Sequence, residues 1–256
     1  MRIAVVCSDL GVRVPGTKGA SLHLTSISRA LQEVGHDVVL VGVRGHGDPP
    51  AEVATLLLDH PGRTSGLRRE LRKIRFTAAL PRAVLPSIAA FAPDVVYERL
   101  ALFGVAGREL AGACGARHLV EVNALLAAEE AQWRGLRLAG LARRRERRVL
   151  DGADLRLAVS REVAEQVERV SPHRPTAVVP NGLDDELFRA RPSRGSARRF
   201  LGLPDHAQLL AFVGVLRPWH GVDVAVRALP LIPGAVLCVA GEGPVQGELE
   251  RLAAAL

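Results

Sequence analysis

Lysines, cysteines and aromatic residues are scarce in this 256-residue chain. Lys18 and Lys73 are the only lysines, so the formal net charge of +7 comes almost wholly from arginine. The three cysteines, Cys7, Cys114 and Cys238, stand alone, and without a C-x-x-C pair the sequence favours neither a disulfide framework nor a zinc site. One Tyr and six Phe are too few to interleave with the basic charge, which disfavours a nucleic-acid-binding protein.

Long hydrophobic runs are missing too. No apolar run reaches the roughly 18 residues that a membrane span needs, and the N-terminus enters a strand-like run without a signal-peptide pattern. With 48% hydrophobic and 24% charged residues, the composition is typical of a globular protein. These features predict a cytoplasmic protein of one large or two ordinary domains.

The arginines are not spread evenly. One cluster interleaves with apolar residues between positions 63 and 82, and a second occupies positions 143–148. The basic members of the first cluster are Arg68, Arg69, Arg72, Lys73 and Arg75. Anionic lipid on the inner face of the plasma membrane and a phosphorylated substrate are candidate partners, with nucleic acid ranked last. The alternative is a compositional preference for arginine on a solvated surface.

Short apolar runs alternate with helix-periodic segments along the chain. We predict strands at 2–7, 38–43, 95–97, 118–122, 155–159, 176–179, 209–213 and 236–240. Helices are predicted at 21–34, 103–114, 161–170, 220–229 and 245–256, with a further long helix ending near residue 150. This alternation predicts an α/β fold with parallel, doubly wound sheets. The expected domains are 1–185 and 201–256, joined by a polar, proline-rich linker at 186–200.

Two glycine-containing loops precede predicted helices, as in sites that hold a diphosphate through backbone N–H groups and a nearby cation. The glycine spacing in the first loop is not G-x-G-x-x-G, which disfavours a nicotinamide-dependent enzyme. The candidate diphosphate-binding residues are Gly16, Lys18, Gly19, Arg217, His220 and Gly221.

Eight motifs occur in an order that spans nearly the whole chain. They are Lys18-Gly-Ala-Ser-Leu-His23, Gly35-His-Asp-Val38, Pro93-Asp-Val-Val-Tyr-Glu-Arg99, Glu121-Val-Asn-Ala124, Gly152-Ala-Asp154 with Val159-Ser160, Val179-Pro-Asn-Gly-Leu-Asp184, Phe212 to Gly221, and Val239-Ala-Gly-Glu-Gly-Pro244. Together they resemble the family-4 glycosyltransferases of the GT-B fold.

The resemblance implies two Rossmann-like domains, with the acceptor on the first and the nucleotide-sugar on the second. The implied reaction transfers a hexose from a nucleoside-diphosphate sugar to a hydroxyl group, with retention and without a metal or other cofactor. Bacterial members often build envelope polysaccharides or glycolipids, so a lipid or glycan acceptor is expected. The departing diphosphate is thought to act as the base, while the protein supplies electrostatic stabilisation.

The donor loop departs from the family's commonest pattern. Val215 and His220 stand where that pattern has an Arg and a Lys on the diphosphate. Arg217 is then the cation expected to hold the phosphates, because a guanidinium binds them bidentately and histidine is mostly neutral at pH 7. In the alternative interpretation, Trp219 and His220 only cap the following helix.

The acceptor side departs as well. The places where family members often carry histidines hold other polar residues, of which Glu98, Arg99, Glu121 and Asn123 are the candidate catalytic residues. A carboxylate at a strand end is equally often a helix cap or a salt-bridge partner. His23, in the first turn of the first helix, is the candidate residue on the acceptor side.

The resemblance also implies a Glu-x7-Glu segment in a Gly/Pro-rich loop, after the position of Leu256, that contacts the donor sugar and its ribose, and the sequence stops before it. We therefore expect a partial donor domain and an inactive 256-residue chain. The alternative function is a noncatalytic GT-B relative that binds a glycan, a lipid or a partner subunit.

Overall fold

The computed structural model describes residues 1–62, 64–182, 189 and 191–256. The chain divides into two compact units, Met1–Leu183 and Asp184–Leu256. The predicted boundary at residue 185 lies outside the described residues, as do the last two residues of the Val179–Asp184 motif.

The first unit is built on an eight-stranded sheet in which every strand pair is parallel. The strands are β1 (Arg2–Val6), β2 (Arg13–Val14), β3 (Asp37–Arg44), β4 (Ala54–Leu58), β5 (Val95–Arg99), β6 (Arg117–Val122), β7 (Leu155–Ala158) and β8 (Ala177–Val178). Their order is β4-β3-β1-β5-β6-β7-β8, with β2 beside the end of β3. The predicted parallel α/β fold is confirmed, although β2 and β4 were not anticipated.

Six helices accompany this sheet in the part of the chain that the structure describes. They are α1 (Gly19–Glu33), α2 (Gly66–Phe91), α3 (Ala106–Cys114), α4 (Leu126–Arg134), α5 (Ala139–Gly152) and α6 (Arg161–Val170). The helix predicted to end near residue 150 is found as α5, and a separate helix, α4, precedes it and ends at Arg134, with Gly135 (φ of 62°) as its C-cap. Buried Glu70 then accepts the N–H groups of Arg137 and Leu138 at 2.9 and 2.8 Å, which satisfies free backbone donors where α5 begins.

Both faces of the sheet are covered. On one face, Val6, Val41 and Val96 pack with the α2 residues Leu80 and Ile88. Side chains alternate along a strand, so Val5 and Leu40 point the other way and pack with Leu24 of α1. In the sheet, β3 lies on one side of β1 and β5 lies on the other, so the strand order reverses between β1 and β5. Open α/β sheets bind ligands at the carboxyl ends of the strands at such a point.

Helix α2 was not predicted, because Pro81 and Pro86 interrupt its sequence. By length and composition alone, it is the one helix of the described chain that could cross a membrane. A core helix passes the same test, and the inward side chains of α2, including Phe76, Leu80 and Ile88, pack in the first unit's core.

The second unit contains a parallel pair of strands, β9 (Gln208–Val213) and β10 (Ala235–Ala240). Its helices are α7 (Arg194–Phe200), α8 (Val222–Ala228) and α9 (Gln246–Ala254), with short 3₁₀ turns at Pro218–His220 and Leu229–Leu231. The end of the predicted 186–200 linker is thus helical. Ser193 caps α7 by accepting the N–H of Ser196, and Arg198 donates to the carbonyls of Asp205 and Ala207 at 3.1 and 3.0 Å.

Candidate functional site

A buried carboxylate, that of Glu121, lies at the centre of a polar cluster in the first unit. His23 Nε2 lies 2.7 Å from one carboxylate oxygen, to which the Tyr97 hydroxyl also donates. The other oxygen accepts from Arg99 Nη1 at 2.6 Å and from Asn123 Nδ2. We call these five residues the Glu121 cluster. Three of the four predicted catalytic candidates and the predicted acceptor-side histidine therefore meet at one place.

The sheet register explains this meeting. Arg99 lies directly opposite Glu121 in the parallel pairing of β5 and β6. Tyr97, two residues earlier, shares a face with Arg99 because side chains alternate along a strand. Helix α1 packs on that same face and carries His23 in its second turn. The cluster thus lies at the carboxyl ends of β5 and β6.

Electrostatics keep the Glu121 carboxyl group ionised. Burial alone would raise its pKa, but hydrogen bonds from His23, Tyr97 and Asn123 outweigh burial and lower the pKa to about 2. The same contact acts on Tyr97, because burial and the neighbouring carboxylate both raise the pKa of its hydroxyl. A carboxylate with so low a pKa is a poor proton acceptor at neutral pH, since a general base works best with a pKa near the working pH. Its chemical contribution is to orient four donors.

Glu98 does not join the Glu121 cluster. It points to the opposite face of the sheet, where it is 1% exposed and one oxygen lies 2.9 Å from His118 Nε2. The same oxygen accepts the N–H of Arg108 at 3.2 Å, in the first turn of α3. The Glu98 side chain packs closely on α3. A Cβ at Gly107 would lie 2.5 Å from the Cβ of Glu98 and 2.7 Å from its carboxylate oxygen Oε2. The structure therefore places this catalytic candidate in a buried structural pair.

The predicted basic surface at the start of α2 is not a single exposed face. Arg68 and Arg75 are exposed, whereas Arg69, Arg72 and Lys73 are partly buried. We call these three partly buried residues the inward set. They lie at helical spacing from Phe76 and Leu80 of the core, so the periodicity of the sequence already indicated that they face the protein. Sequence reasoning grouped the five residues by charge and missed which way they face.

Glu130 of α4 organises part of this inward set. Its carboxylate is 5% exposed and lies 3.1 Å from Arg69 Nη2, 4.0 Å from Lys73 Nζ and 2.6 Å from Arg134 Nη1. No sequence motif marked this residue, because two of its three partners, Arg69 and Lys73, come from a helix about 60 residues earlier.

A basic cleft of about 600 Å³ opens beside α2, lined entirely by first-unit residues. Its cationic lining residues are Arg13, Lys18, Arg69, Arg72 and Lys73, and the lining also includes His46 and His60. Two predicted diphosphate-binding residues, Gly16 and Lys18, belong to this lining.

Lys18 Nζ donates to the Gly11 carbonyl at 3.0 Å, which holds the two ends of the loop 11–19 together. A Cβ at Gly16 would lie 2.5 Å from the Arg13 carbonyl oxygen, so close packing requires glycine there. Gly19 begins α1, and a Cβ there would meet nothing within 4 Å.

The predicted donor loop of the second unit follows β9. The Arg217 guanidinium lies 5.6 Å from the centroid of the Trp219 ring, and Gly221 has φ of 65° immediately before α8. His220 Nδ1 lies 2.7 Å from the Val215 carbonyl oxygen. A carbonyl only accepts, so Nδ1 carries the hydrogen, and Nε2 of a neutral ring is an acceptor that cannot donate to phosphate.

The loops after β9 and β10 lie against each other. Gly214 donates to the Ala240 carbonyl at 3.0 Å, and Leu216 donates to the Glu242 carbonyl at 2.9 Å. A Cβ at Gly241 would lie 1.9 Å from the Gly214 carbonyl oxygen, and one at Gly243 would lie 2.2 Å from that of Leu216. The glycines of the Val239–Pro244 motif are thus required by backbone contact.

Metal-ligating side chains do not gather in groups of three or more His, Cys, Asp or Glu among the residues that the structure describes. The three cysteines are free. Burial, with a smaller effect from Asp9, raises the pKa of Cys7 to about 12, so its thiol stays protonated at neutral pH.

Comparison with curated proteins finds D-inositol 3-phosphate glycosyltransferases. The one from Mycolicibacterium smegmatis is 39% identical over 126 residues, which cover 48% of this chain and 27% of that protein. The one from Mycobacterium tuberculosis H37Ra is 37% identical over 101 residues, which cover 39% of this chain and 21% of that protein. The matched stretch is thus about a quarter of the length of these relatives.

Comparison with solved structures finds glycosyltransferases of the GT-B fold. Sucrose-phosphate synthase from Thermosynechococcus elongatus matches with a TM-score of 0.70 and 19% identity, over 99% of this chain and 66% of that one. Anabaena HepE in complex with UDP-glucose matches with a TM-score of 0.67 and 15% identity, over 100% of this chain and 66% of that one. At such identities the likeness establishes the GT-B fold alone.

The family model described as Glycosyltransferase Family 4 matches residues 17–187, most of this chain. The chain therefore belongs to glycosyltransferase family 4.

Proposed function

We propose that this protein transfers a sugar from a nucleoside-diphosphate sugar to a hydroxyl group of an acceptor, with retention at the anomeric carbon. The observation that carries the proposal is the family match over residues 17–187, which contain the Glu121 cluster. Solved relatives of the same fold hold UDP and UDP-glucose, which supports a nucleotide-sugar as the donor.

In this proposal the Glu121 cluster positions groups and does not move the proton. The acceptor oxygen bonds to the anomeric carbon, the bond from that carbon to the phosphate oxygen breaks, and the acceptor proton passes to the departing diphosphate. Ionised Glu121 holds Arg99, His23 and Asn123 at the carboxyl edge of the sheet. Preorganised donors and cations of this kind stabilise charge that develops in the transition state.

The acceptor in this proposal is a small polyol. The curated relatives are named for D-inositol 3-phosphate, a cyclitol with several hydroxyl groups and a phosphate. A glycan or glycolipid of the cell envelope is the second candidate, because the structural relative WaaG takes part in lipopolysaccharide biosynthesis.

We propose a cytoplasmic location, because nucleotide-sugars are made in the cytoplasm, and this location is compatible with either acceptor. The exposed arginines of α5, such as Arg143, Arg144 and Arg147, are the residues through which we propose contact with an anionic membrane. Comparing sedimentation with acidic and with neutral liposomes tests this contact, and equal sedimentation with the two would refute it.

The transfer is tested with a purified version of the protein extended at its C-terminus to the length of its solved relatives. The assay contains radiolabelled UDP- and GDP-sugars, and inositol, inositol monophosphate and lipid acceptors. We expect label in an acceptor product whose anomeric configuration, read by NMR, matches that of the donor. Arg99→Ala should abolish transfer, whereas Glu165→Gln, on the exposed side of α6, should leave it unchanged. Release of free sugar without an acceptor product, or an inverted product, would contradict the proposal.

A further inference from the structure

The basic cleft contains a guanidinium group that no partner neutralises. Nε and Nη1 of Arg72 are buried and have no hydrogen-bond partner among the residues that the structure describes. Burial lowers the pKa of Arg72, which shows that its charge is held at a cost in free energy. Buried cations are ordinarily paired, and an unpaired one is strongly destabilising.

The neighbours of Arg72 add to this positive charge. Arg69 and Lys73 lie three residues before it and one after it on α2, so all three point toward one side of the helix. Glu130 supplies one negative charge to Arg69, Lys73 and Arg134 together. The described residues that line the cleft include no Asp or Glu. The described lining therefore carries an excess of positive charge, which an anionic ligand would balance.

The chemistry of the lining identifies the anion. Arg72 and Lys18 add two cations beyond the group that shares Glu130, which matches the double charge of a phosphate monoester better than the single charge of a carboxylate. Thr17, Ser21 and Thr64 bring hydroxyl groups to the same lining, and these can donate to the phosphate oxygens. The unpartnered N–H groups of the Arg72 guanidinium can donate charge-assisted hydrogen bonds to such a group.

We propose that Arg72, with Lys73 and Lys18, binds the phosphate group of a phosphorylated acceptor. The identification of the ligand as the acceptor rests on the proposed function. It is favoured because first-unit residues alone line the cleft, whereas the predicted donor loop after β9 belongs to the second unit. The donor's diphosphate offers the same chemistry, so the experiment separates the two sources.

The test is calorimetric titration of the whole chain with inorganic phosphate, inositol monophosphate, unphosphorylated inositol and UDP. Arg72→Gln is compared with Arg68→Gln, a matched control at an exposed position of the same helix. We expect Arg72→Gln to weaken the binding of phosphate and of inositol monophosphate by about 10- to 100-fold, as for the loss of a charged hydrogen bond. Arg68→Gln should bind like the wild type, and the affinity for UDP should be unchanged in both variants.

Thermal unfolding separates this role from a structural one. Phosphate should raise the Tm of the wild type and of Arg68→Gln but not that of Arg72→Gln. Without phosphate, Arg72→Gln should be at least as stable as the wild type, because it removes a buried charge without a partner. A lowered Tm of unliganded Arg72→Gln would indicate that Arg72 supports the fold and would overturn the proposal.

Two other outcomes would also overturn it. Equal phosphate affinities in Arg72→Gln and Arg68→Gln would show that Arg72 does not contact the anion. Loss of UDP binding with unchanged binding of inositol monophosphate would assign the cleft to the donor. Because no sugar is transferred in these titrations, a negative transferase assay would refute the proposed function and leave the phosphate site standing.

Discussion

Replacing Glu121 with glutamine removes the negative charge around which the cluster is built and keeps the shape of the side chain. The pKa of the carboxyl group falls from 4.5 to about 2 in the folded protein. Each pKa unit corresponds to about 1.4 kcal/mol, so the ionised carboxylate contributes on the order of 3 kcal/mol to the free energy of unfolding. The amide would also bring N–H donors against groups that already donate.

The pH dependence follows from the direction of the shift. The folded-state pKa is depressed, so the stabilisation is present above about pH 4.5 and is lost as the pH falls toward about 2. We therefore expect Glu121→Gln to lower the free energy of unfolding by about 3 kcal/mol at pH 7 and by about half as much at pH 3. Urea titrations followed by circular dichroism measure both values.

The matched control is Glu165→Gln, a substitution on the exposed side of α6. It should change the free energy of unfolding by less than about 0.5 kcal/mol at either pH. If Glu121→Gln is as stable as this control at pH 7, or loses the same free energy at pH 7 and pH 3, the carboxylate is not the electrostatic centre of the cluster.

Three further predictions test other parts of the structure. In the predicted donor loop, Arg217→Ala should weaken UDP binding more than His220→Ala, because a guanidinium makes charge-assisted contacts with phosphate whereas Nδ1 of His220 is already used by the Val215 carbonyl. Equal or reversed losses in calorimetry would contradict this prediction. Burial raises the pKa of Glu146 to about 7 despite hydrogen bonds from the backbone of Ala127 and Leu126, so ionisation costs up to about 3 kcal/mol of stability as the pH rises from about 4.5 through 7. Glu146→Gln should flatten urea-measured stability over that range, and an unchanged slope would refute the assignment. Gly107→Ala should lower the free energy of unfolding by about 1–3 kcal/mol through overpacking against Glu98, whereas Gly112→Ala on the same helix, with nothing within 4 Å, should not; equal thermal stabilities would show that the contact relaxes freely.

The periodicity of the sequence was sufficient for six of the eight strands of the first unit's sheet. Strands such as β1 and β3 are runs of apolar residues bounded by polar ones, and the apolar residues of helices such as α6 recur at helical spacing, so the local sequence carries their signal. It failed for α2, because proline disfavours a helix interior in isolation and only packing on the sheet compensates for Pro81 and Pro86. It also did not show where α5 begins, because the carboxylate of Glu70, which accepts backbone N–H groups there, comes from a distant segment.

Part of the Glu121 cluster could also be predicted from the sequence. The positions of Arg99, Glu121 and Asn123 followed from their places at strand ends, where parallel sheets present polar residues. That Glu98 turns away was implicit in strand alternation, but its partner His118 comes from the neighbouring strand.

The sequence by itself determined the α/β class, the alternation of most strands and helices, and the family, because these depend on local periodicity and on motifs read in order. Only the tertiary structure decided which charges are paired. Glu121 of β6 collects four donors from α1, β5 and the loop after β6, and Glu130 holds two cations of α2, while Arg72 between them has no counter-ion among the described residues. Such pairings join residues tens of positions apart, and their energies depend on burial and on distances of a few ångströms, which the order of residues along the chain does not contain.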